Sequence, residues 1–328
     1  MPGPSDAAAH SIARMRSRRV LVTGASGFIG SALCERLVEL GAEVHGVSRT
    51  ATVPDGGPIR AWTADLGDFD AVRRLFAQAR PQIVFHLAGY VYGARGIEHI
   101  RPALSGNLIA TVNVLESAHA SSCERVIVTG SQDEPDANEP QASRFVPSSP
   151  YAAAKFAANA YARTFHALYD LPVSIARILM AYGPGQKDLN KLIPYVILAL
   201  ARGETPRLSS ASRPLDWIYS ADVVTGLLLM AMKENLAGRT IDLGTGTTHT
   251  ARQAVEKIVK LMGSQIVPAF GALDDRALEQ RRAADVAATR AQLGWAPETS
   301  FESGLQKTID WYTAIARGNP QRAPLEEK

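Results

Sequence analysis

Short apolar runs alternate with amphipathic helical patterns through the first half of this sequence. The predicted strands are Arg19–Thr23, Glu43–Val47, Ile83–Ala88, Arg125–Thr129 and Val173–Leu179, and the predicted helices are Phe28–Leu40, Phe69–Gln78, Leu104–Ala118 and Pro150–Tyr169. Strands that alternate with helices are typical of βαβ units, which form a mostly parallel sheet with helices on both faces. The pattern therefore predicts an α/β fold of the doubly wound Rossmann type.

The pattern changes at about Gly183, where polar loops separate helices and single short strands. Helices are predicted at Lys191–Arg202 and Ala251–Met262, and strands at Leu215–Tyr219 and Thr240–Leu243. We expect a disordered tail over 1–17, a dinucleotide-binding domain over 18–180 to which 214–246 returns, and a smaller interleaved substrate domain made of 181–213 and 247–328.

Charge and composition exclude several classes of protein. The formal net charge is +3, and four arginines against one aspartate in the first 19 residues account for that whole excess. The remainder is neutral, whereas a nucleic-acid-binding domain carries a basic face. No apolar run approaches the roughly 20 residues of a membrane span, and the start of the chain has no apolar core of a signal peptide. Two cysteines without metal-ligand spacing are typical of a reducing, cytoplasmic compartment with no disulfide framework and no metal site.

A glycine-rich turn follows the first predicted strand and opens the first predicted helix. Gly24, Gly27 and Gly30 stand at the spacing that allows a tight turn, close approach of the backbone to a pyrophosphate and close packing of helix on strand. The N terminus of the helix adds N–H groups and the positive end of the helix dipole. We expect a dinucleotide to bind here, against Gly24, Ser26, Gly27, Phe28 and Ile29.

The end of the second strand indicates which dinucleotide is bound. A site for NAD has an acidic residue there, which accepts hydrogen bonds from the ribose hydroxyls. This chain has Ser48 and Arg49 instead. Because a guanidinium forms charge-assisted hydrogen bonds with a phosphate, these residues favour NADP over NAD.

Tyr151 and Lys155 lie four residues apart at the start of a long predicted helix, and therefore on one helix face. A neighbouring ammonium favours the phenolate form and lowers the pKa of a phenol. Such a pair can donate or accept the proton that accompanies hydride transfer between a carbonyl and an alcohol.

Together these motifs resemble the extended short-chain dehydrogenase/reductase superfamily, the NAD-dependent epimerase/dehydratase family of nucleotide-sugar enzymes. The resemblance covers about residues 18–313. Its markers are Thr23–Gly30, Ala64–Leu66, His86–Gly89, Asn107, Val128–Ser131, Tyr151 with Lys155, Tyr182–Gly185, Asp216–Tyr219, Gly244–Gly246 and Leu293–Pro297.

The resemblance implies roles for several residues and a homodimer built on two helices, about Leu104–Ala118 and Pro150–Tyr169. Asp65 and Leu66 would frame the adenine, the backbone of Leu87, Ala88 and Gly89 would lie along the dinucleotide, and Asn107 would hold the geometry of the active site. Ser131 would hydrogen-bond the reacting oxygen of the substrate beside Tyr151.

The residues after Ser131 bear on the reaction. Gln132 stands where related 4,6-dehydratases have a general acid, and Asp133 stands where they have the longer Glu, so we also count Asp133 as a catalytic candidate. The run resembles that of GDP-4-keto-6-deoxymannose reductases. We therefore expect NADPH-dependent reduction of a nucleotide-linked 4-keto-6-deoxy sugar. A 4,6-dehydratase or epimerase, and a non-catalytic NADP-binding regulator, remain as alternatives.

Four residues of the second half are candidates for binding the nucleotide sugar. Met180 replaces an Asn that relatives have two residues before the Tyr of Tyr182–Gly185. Lys191 and Arg213 could meet the diphosphate, and Arg276 falls where relatives close an Arg over the nucleotide.

Overall fold

The computed structural model describes residues 10–49, 57–134, 146–274 and 280–317, which divide into two compact units. Unit 1 consists of Met1–Ile178, Val224–Leu243 and Val286–Ala296, and unit 2 consists of Leu179–Val223, Gly244–Asp285 and Pro297–Lys328. The chain thus returns to the dinucleotide-binding unit twice. The sequence led us to expect a single return, over 214–246.

Unit 1 contains a seven-stranded sheet in which every pair of neighbouring strands is parallel. Its strands are β1 (Arg19–Thr23), β2 (Glu43–Ser48), β3 (Ile59–Thr63), β4 (Ile83–His86), β5 (Arg125–Ser131), β6 (Val173–Ile178) and, from the second half of the chain, β10 (Thr240–Leu243). Their order is β10-β6-β5-β4-β1-β2-β3. This confirms the doubly wound α/β fold that the alternating pattern predicts.

The helices of unit 1 carry their apolar residues onto this sheet. They are α1 (Phe28–Glu39), α2 (Phe69–Ala79), α3 (Ile100–Ala103), α4 (Ala110–Ala120) and α5 (Pro150–Tyr169), with a π-helical segment at Leu104–Ile109 that joins α3 to α4. Side chains of α2 and α4 pack with those of β1, β4, β5 and β6 in one buried cluster. Parallel sheets need this cover because both of their faces are apolar.

Residues 10–17 differ from the disordered tail that we expected over 1–17; residues 1–9 lie outside the described part of the chain. Residues 10–13 form a helical turn, and the side chains of Ile12 and Met15 are buried, Met15 completely. The Ser17 N–H donates to the Gly41 carbonyl at 2.8 Å. Ile12 and Met15 thus attach this stretch to unit 1. The neighbouring arginines give the sequence a polar pattern that does not indicate this burial.

The described part of unit 2 contains a three-stranded sheet, a two-stranded sheet and three packed helices. Strands β7 (Met180–Tyr182), β9 (Pro214–Tyr219) and β11 (Thr248–Thr250) form a sheet of order β11-β9-β7, while β8 (Arg207–Leu208) pairs with β12 (Ala269–Phe270). The helices are α6 (Leu192–Ala201), α8 (Ala251–Leu261) and α10 (Phe301–Ala316), whose apolar faces form one core with Trp217, Tyr219 and Tyr182.

Two further α-helices are α7 (Ser220–Met232), which runs from unit 2 into unit 1, and α9 (Val286–Leu293) in unit 1, and a short 3-10 helix at Ile97–His99 precedes α3. Among the helices in the described ranges, none combines the length and the apolar character that crossing a membrane requires.

Candidate active site

The glycine-rich turn joins β1 to α1 as the sequence predicts. Gly24 has a φ of +71°, and a Cβ added to it would lie 2.8 Å from the Ala88 backbone nitrogen. A Cβ on Gly30 would collide with the Gly24 carbonyl oxygen. Gly27 precedes α1, and no side chain caps that N terminus. The first N–H groups of a helix lack partners within it, so this turn fits the phosphates of a dinucleotide.

Residues after β4 lie against this turn, and Asn107 holds them. The Asn107 side chain is fully buried; its Oδ1 accepts from the Tyr90 N–H at 2.9 Å, and its Nδ2 donates to the Tyr90 carbonyl at 3.1 Å. A Cβ on Gly89 would lie 2.6 Å from Asn107 Oδ1 and 3.7 Å from Lys155 Nζ. The half-buried backbone of Leu87–Gly89 thus connects the glycine turn to the Lys155 ammonium.

His86, at the end of β4, ties the glycine turn to the π-helical segment. Thr111 Oγ1 donates to the Asn107 carbonyl at 2.5 Å, so it accepts from His86 Nε2 at 3.0 Å. His86 Nδ1 in turn accepts from the Thr23 hydroxyl at 2.8 Å, and Thr23 Oγ1 accepts from the Ala88 N–H at 3.2 Å. Each group is satisfied when His86 is neutral, and burial lowers the pKa of this histidine to about 3.

Ser131, Tyr151 and Lys155 come together where β5 ends and α5 begins. Helix α5 starts with Pro150 in its first turn, and the Ser149 side chain caps it, which brings Tyr151 to the end of β5. The Tyr151 phenol hydrogen-bonds with the Ser131 hydroxyl. Lys155 is buried, and its Nζ donates to the Thr129 carbonyl at 3.0 Å and to Thr129 Oγ1 at 3.1 Å.

The electrostatics of this site differ from our expectation that Lys155 lowers the pKa of the phenol. Burial raises the pKa of Tyr151 to about 12; the hydrogen bond with Ser131 opposes this rise, and the charges of Asp133 and Glu134 add to it. Burial also lowers the pKa of Lys155 to about 8, against an opposing effect of Glu134. Desolvation disfavours the charged form of both groups, and here it outweighs their neighbours.

The turn after Ser131 brings one residue into the site that sequence reasoning missed. The Asp133 N–H donates to Ser131 Oγ at 3.2 Å, and Gln132 is buried. Glu134 folds back and is buried; its Oε1 accepts from the Ser131 N–H at 2.5 Å, and Asn159 Nδ2 donates to both of its carboxylate oxygens at 2.6 Å. The available signal was Asn159, a polar residue that lies with Lys155 among buried alanines on one face of α5.

Of the residues expected to bind the adenosine part of the dinucleotide, some are exposed and others are buried. Arg49 is exposed at the end of β2, directly after the buried Ser48. Asp65 is exposed, and its Oδ1 accepts from the Gly67 N–H. The Leu66 side chain lies in the apolar core, so only its backbone is placed to meet a ligand, and its carbonyl accepts from Asn113. The roles of these residues stay predictions.

Within unit 2 the structure describes three of the four candidates for binding the nucleotide sugar. Met180 begins β7 and is half-buried, and Lys191 is the N-cap residue of α6 and half-exposed, 3.9 Å from an Asp188 oxygen. Arg213 donates through Nη2 and Nε to the Gln280 carbonyl at 2.6 and 3.0 Å. Arg276 lies outside the described residues. Contacts of these residues with a diphosphate remain predictions.

The glycine turn at the N terminus of α1 and the Ser–Tyr–Lys set at the carboxyl edge of the same sheet form the arrangement expected of a nicotinamide-dependent enzyme of the short-chain dehydrogenase/reductase type. The sequence profile of the NAD dependent epimerase/dehydratase family matches residues 20–244. The chain belongs to this family. Over the described residues, no group of three or more His, Cys, Asp or Glu side chains is arranged to hold a metal ion.

The chain is also similar in sequence and structure to individual proteins of such families. A probable dTDP-glucose 4,6-dehydratase of Sinorhizobium fredii is 31% identical over 329 residues, which cover 90% of this chain and 92% of that protein. The UDP-glucose 4-epimerase of Thermus thermophilus, in complex with NAD, is 26% identical with a TM-score of 0.77, covering 92% and 99% of the two chains. The epimerase Mth375 of Methanothermobacter thermautotrophicus has a TM-score of 0.86 at 24% identity, covering 96% and 98%, and supports the fold alone.

These relatives are dehydratases and epimerases, not ketoreductases. They favour the alternative reaction stated from the sequence over the ketoreductase that we expected first. The bound NAD of the Thermus protein likewise supports a nicotinamide dinucleotide without indicating NADP.

Proposed function

We propose that this protein interconverts a hydroxyl and a keto group on the sugar of a nucleotide-linked hexose, and that epimerisation is the best-supported outcome. The observation that carries the proposal is the Tyr151 phenol hydrogen-bonded to the Ser131 hydroxyl, with the Lys155 ammonium buried one helical turn away. The nucleotide sugar is inferred from the names of the relatives that share this fold and 26–31% of the sequence.

A bound nicotinamide would accept or donate the hydride, and the side chains would manage the proton. Tyr151 gives its phenolic proton to the keto oxygen on reduction and takes it back on oxidation. The Ser131 hydroxyl donates to the same oxygen, and the Lys155 ammonium stabilises the phenolate while it exists. The raised pKa of Tyr151 keeps the phenol protonated at neutral pH, which is the form needed for reduction. Oxidation needs the phenolate, which the Lys155 ammonium would stabilise.

Elimination of water needs a second acid and a base beside this set, and the turn after Ser131 supplies them poorly. Gln132 cannot serve as the acid, because its amide NH2 donates hydrogen bonds but is far too weak an acid to give up a proton. Glu134 is engaged by Asn159 and the Ser131 N–H. Asp133 remains, close enough to Tyr151 to raise the pKa of the phenol. This argues for oxidation and re-reduction over 4,6-dehydration.

A ketoreductase is the second candidate, and the end of β2 favours it. No carboxylate stands at Ser48–Arg49 to accept from an unphosphorylated ribose, and Arg49 is exposed to a ligand. NADP is the form usually consumed in net reductions, so we propose a preference for NADP over NAD. An epimerase would instead return the hydride to the same sugar, with no net consumption of the reduced dinucleotide.

The reaction is tested by incubating the purified protein with UDP-glucose, with dTDP-glucose and with a nucleotide-linked 4-keto-6-deoxyhexose, with either NAD or NADPH present. A 4-epimer with unchanged cofactor supports epimerisation, and stoichiometric NADPH oxidation on the keto sugar supports the ketoreductase. A 4-keto-6-deoxy product from a plain hexose would show a dehydratase. Dinucleotide binding with no product from any substrate, and no difference from Tyr151→Phe, would leave the non-catalytic regulator and refute the enzyme.

We further propose a homodimer formed through the helices that the resemblance names. Large apolar side chains are exposed along them, among them Ile109 at 41%, Leu104 at 39% and Phe156 at 37%. Exposed apolar residues on adjacent helices of one surface are typical of protein interfaces. Sedimentation should give a dimer for the unmodified protein and a monomer for Ile109→Asp; a monomer in both cases refutes this.

A further inference from the structure

The Glu134 carboxylate occupies a position that neither the fold nor the proton transfer by itself requires. Its side chain is 4% exposed, and it sits between the end of β5 and the middle of α5. A Cβ on Gly130 would lie 3.0 Å from both Glu134 Oε1 and Asn159 Nδ2. A strand residue without a side chain is thus what lets the carboxylate approach β5.

The hydrogen bonds of this carboxylate act on Ser131 directly. Oε1 accepts from the Ser131 N–H at 2.5 Å, and the Glu134 N–H donates to the Ser131 carbonyl at 3.2 Å. Glu134 therefore closes a four-residue turn, 131–134, on both backbone groups of Ser131. Asn159 Nδ2 donates to both carboxylate oxygens at 2.6 Å and anchors the turn to α5. All of these partners donate to the carboxylate, which suits its ionised form.

The titratable groups around Glu134 and Lys155 come from four elements. Burial raises the pKa of Glu134, and the hydrogen bonds from Asn159 and Ser131 together with the charges of Lys155 on α5 and Arg177 on β6 oppose this rise. The Arg177 Nε donates to an Asp242 carboxylate oxygen on β10 at 2.6 Å, so that cation already has a counter-ion. On β4, His86 is neutral. Burial lowers the pKa of Lys155 to about 8, and Glu134 is the acid that opposes this fall.

We propose that Glu134 is a positioning residue that holds the Ser131 hydroxyl in register with Tyr151 and keeps the buried Lys155 ammonium charged at neutral pH. Glu134 touches neither substrate nor cofactor and acts through these two residues. The inference rests on the proposed catalytic roles of Ser131 and Lys155. Asn159 is the partner that makes the arrangement possible, since it anchors the carboxylate to the same helix face as Lys155.

Two substitutions separate the two effects. Glu134→Gln keeps an oxygen that can accept from the Ser131 N–H but removes the charge, so it should lower the pKa of Lys155 by about one unit. Glu134→Asp keeps the charge but shortens the side chain by one methylene, which moves the carboxylate away from Ser131. It should leave the pKa of Lys155 near 8 and lower kcat about tenfold or more with KM little changed, because small displacements of reacting groups are costly.

The pKa of Lys155 can be measured without any substrate. The chain has eight lysines, and ¹³C-labelled lysine followed by NMR from pH 6 to 11 resolves the buried one; Lys155→Met identifies its signal. In turnover assays the alkaline limb of the kcat–pH profile should move down with the same variant. If the proposed reaction is wrong, only the kcat–pH profile is lost and the NMR titration of Lys155 still tests the role of Glu134. A failure of the proposed function can therefore be distinguished from a failure of this inference.

A rescue variant and two controls complete the test. Glu134→Gln combined with Asn159→Asp returns a carboxylate one helical turn from Lys155 and should restore its pKa. Glu134→Met is a second neutral variant should Glu134→Gln not fold. Asp216→Asn converts a buried carboxylate of unit 2, which accepts from Thr245 and Gly246 N–H groups, and should not move the Lys155 signal. An unchanged Lys155 titration in a folded neutral variant would overturn the charge role, and undiminished kcat in Glu134→Asp would overturn the positioning of Ser131.

Discussion

Lowering the pH should destabilise this protein through His86, because that histidine is neutral and fully hydrogen-bonded in the folded state. Its pKa falls from 6.5 to about 3 on folding, chiefly by burial, with the Lys155 charge adding to the effect. Between pH 6.5 and pH 3, His86 is therefore protonated in the unfolded chain but neutral in the folded chain. A group whose pKa is lowered by folding contributes stability above its unfolded pKa and loses it as the pH falls.

The size of this effect follows from the two pKa values. At pH 4.5 the unfolded state has gained two pH units of proton binding, at 1.36 kcal/mol each, so about 2.7 kcal/mol of unfolding free energy is lost. The loss is complete near pH 3. It is a large fraction of the roughly 5–15 kcal/mol by which native proteins are stable.

Urea unfolding at pH 7.5 and pH 4.5 measures this term if the unmodified protein is compared with His86→Gln. A glutamine amide can accept from Thr23 and donate to Thr111 but does not titrate. Because the substitution alters a buried, hydrogen-bonded side chain, the variant should be less stable than the unmodified protein at pH 7.5 by about 1–3 kcal/mol. The difference between the two proteins should shrink by about 2.7 kcal/mol at pH 4.5. His119→Gln, at an exposed histidine on α4, is the matched control. If His86→Gln and the unmodified protein lose stability in parallel, the assignment of a neutral, low-pKa His86 is refuted.

Three other predictions use separate parts of the molecule. Tyr151→Phe should lower turnover by about 10²–10⁴-fold while calorimetry shows dinucleotide affinity little changed; near-full activity would contradict the proton transfer assigned to the phenol. NADP should bind about tenfold more tightly than NAD, about 1.4 kcal/mol, and Arg49→Ala should abolish that gap; tighter NAD binding by the unmodified protein would show the preference to be wrong. Burial raises the pKa of Cys34 and Cys123 to about 12, so neither should react with a thiol reagent at pH 8 until the protein is unfolded, and rapid native labelling would contradict this.

Local patterns in the sequence were sufficient to predict most of unit 1. Strand β1, helix α5 and strand β10 begin and end where periodicity and flanking residues indicate, because their burial pattern is set by neighbours in sequence. Strand β3 escaped prediction because Arg60 and Thr63 are exposed on an edge strand, which leaves little apolar alternation. Helices α7, α9 and α10 were not predicted either, and without α9 the second return of the chain to unit 1 was not predicted.

Motif spacing likewise placed the glycine turn and the Tyr151–Lys155 pair, since a turn between strand and helix and a spacing of four within one helix are local facts. Tertiary structure alone decided the electrostatics. The sequence predicts a lowered phenol pKa from the nearby lysine, whereas burial by surrounding elements raises it. The partners of Lys155 and Glu134 are Thr129 and Asn159, each about 25 residues away along the chain. Contacts at that separation depend on which strands pair and which helix covers them. Asn159 on the buried face of α5 indicates that a polar partner lies there, but the sequence does not indicate that this partner is Glu134.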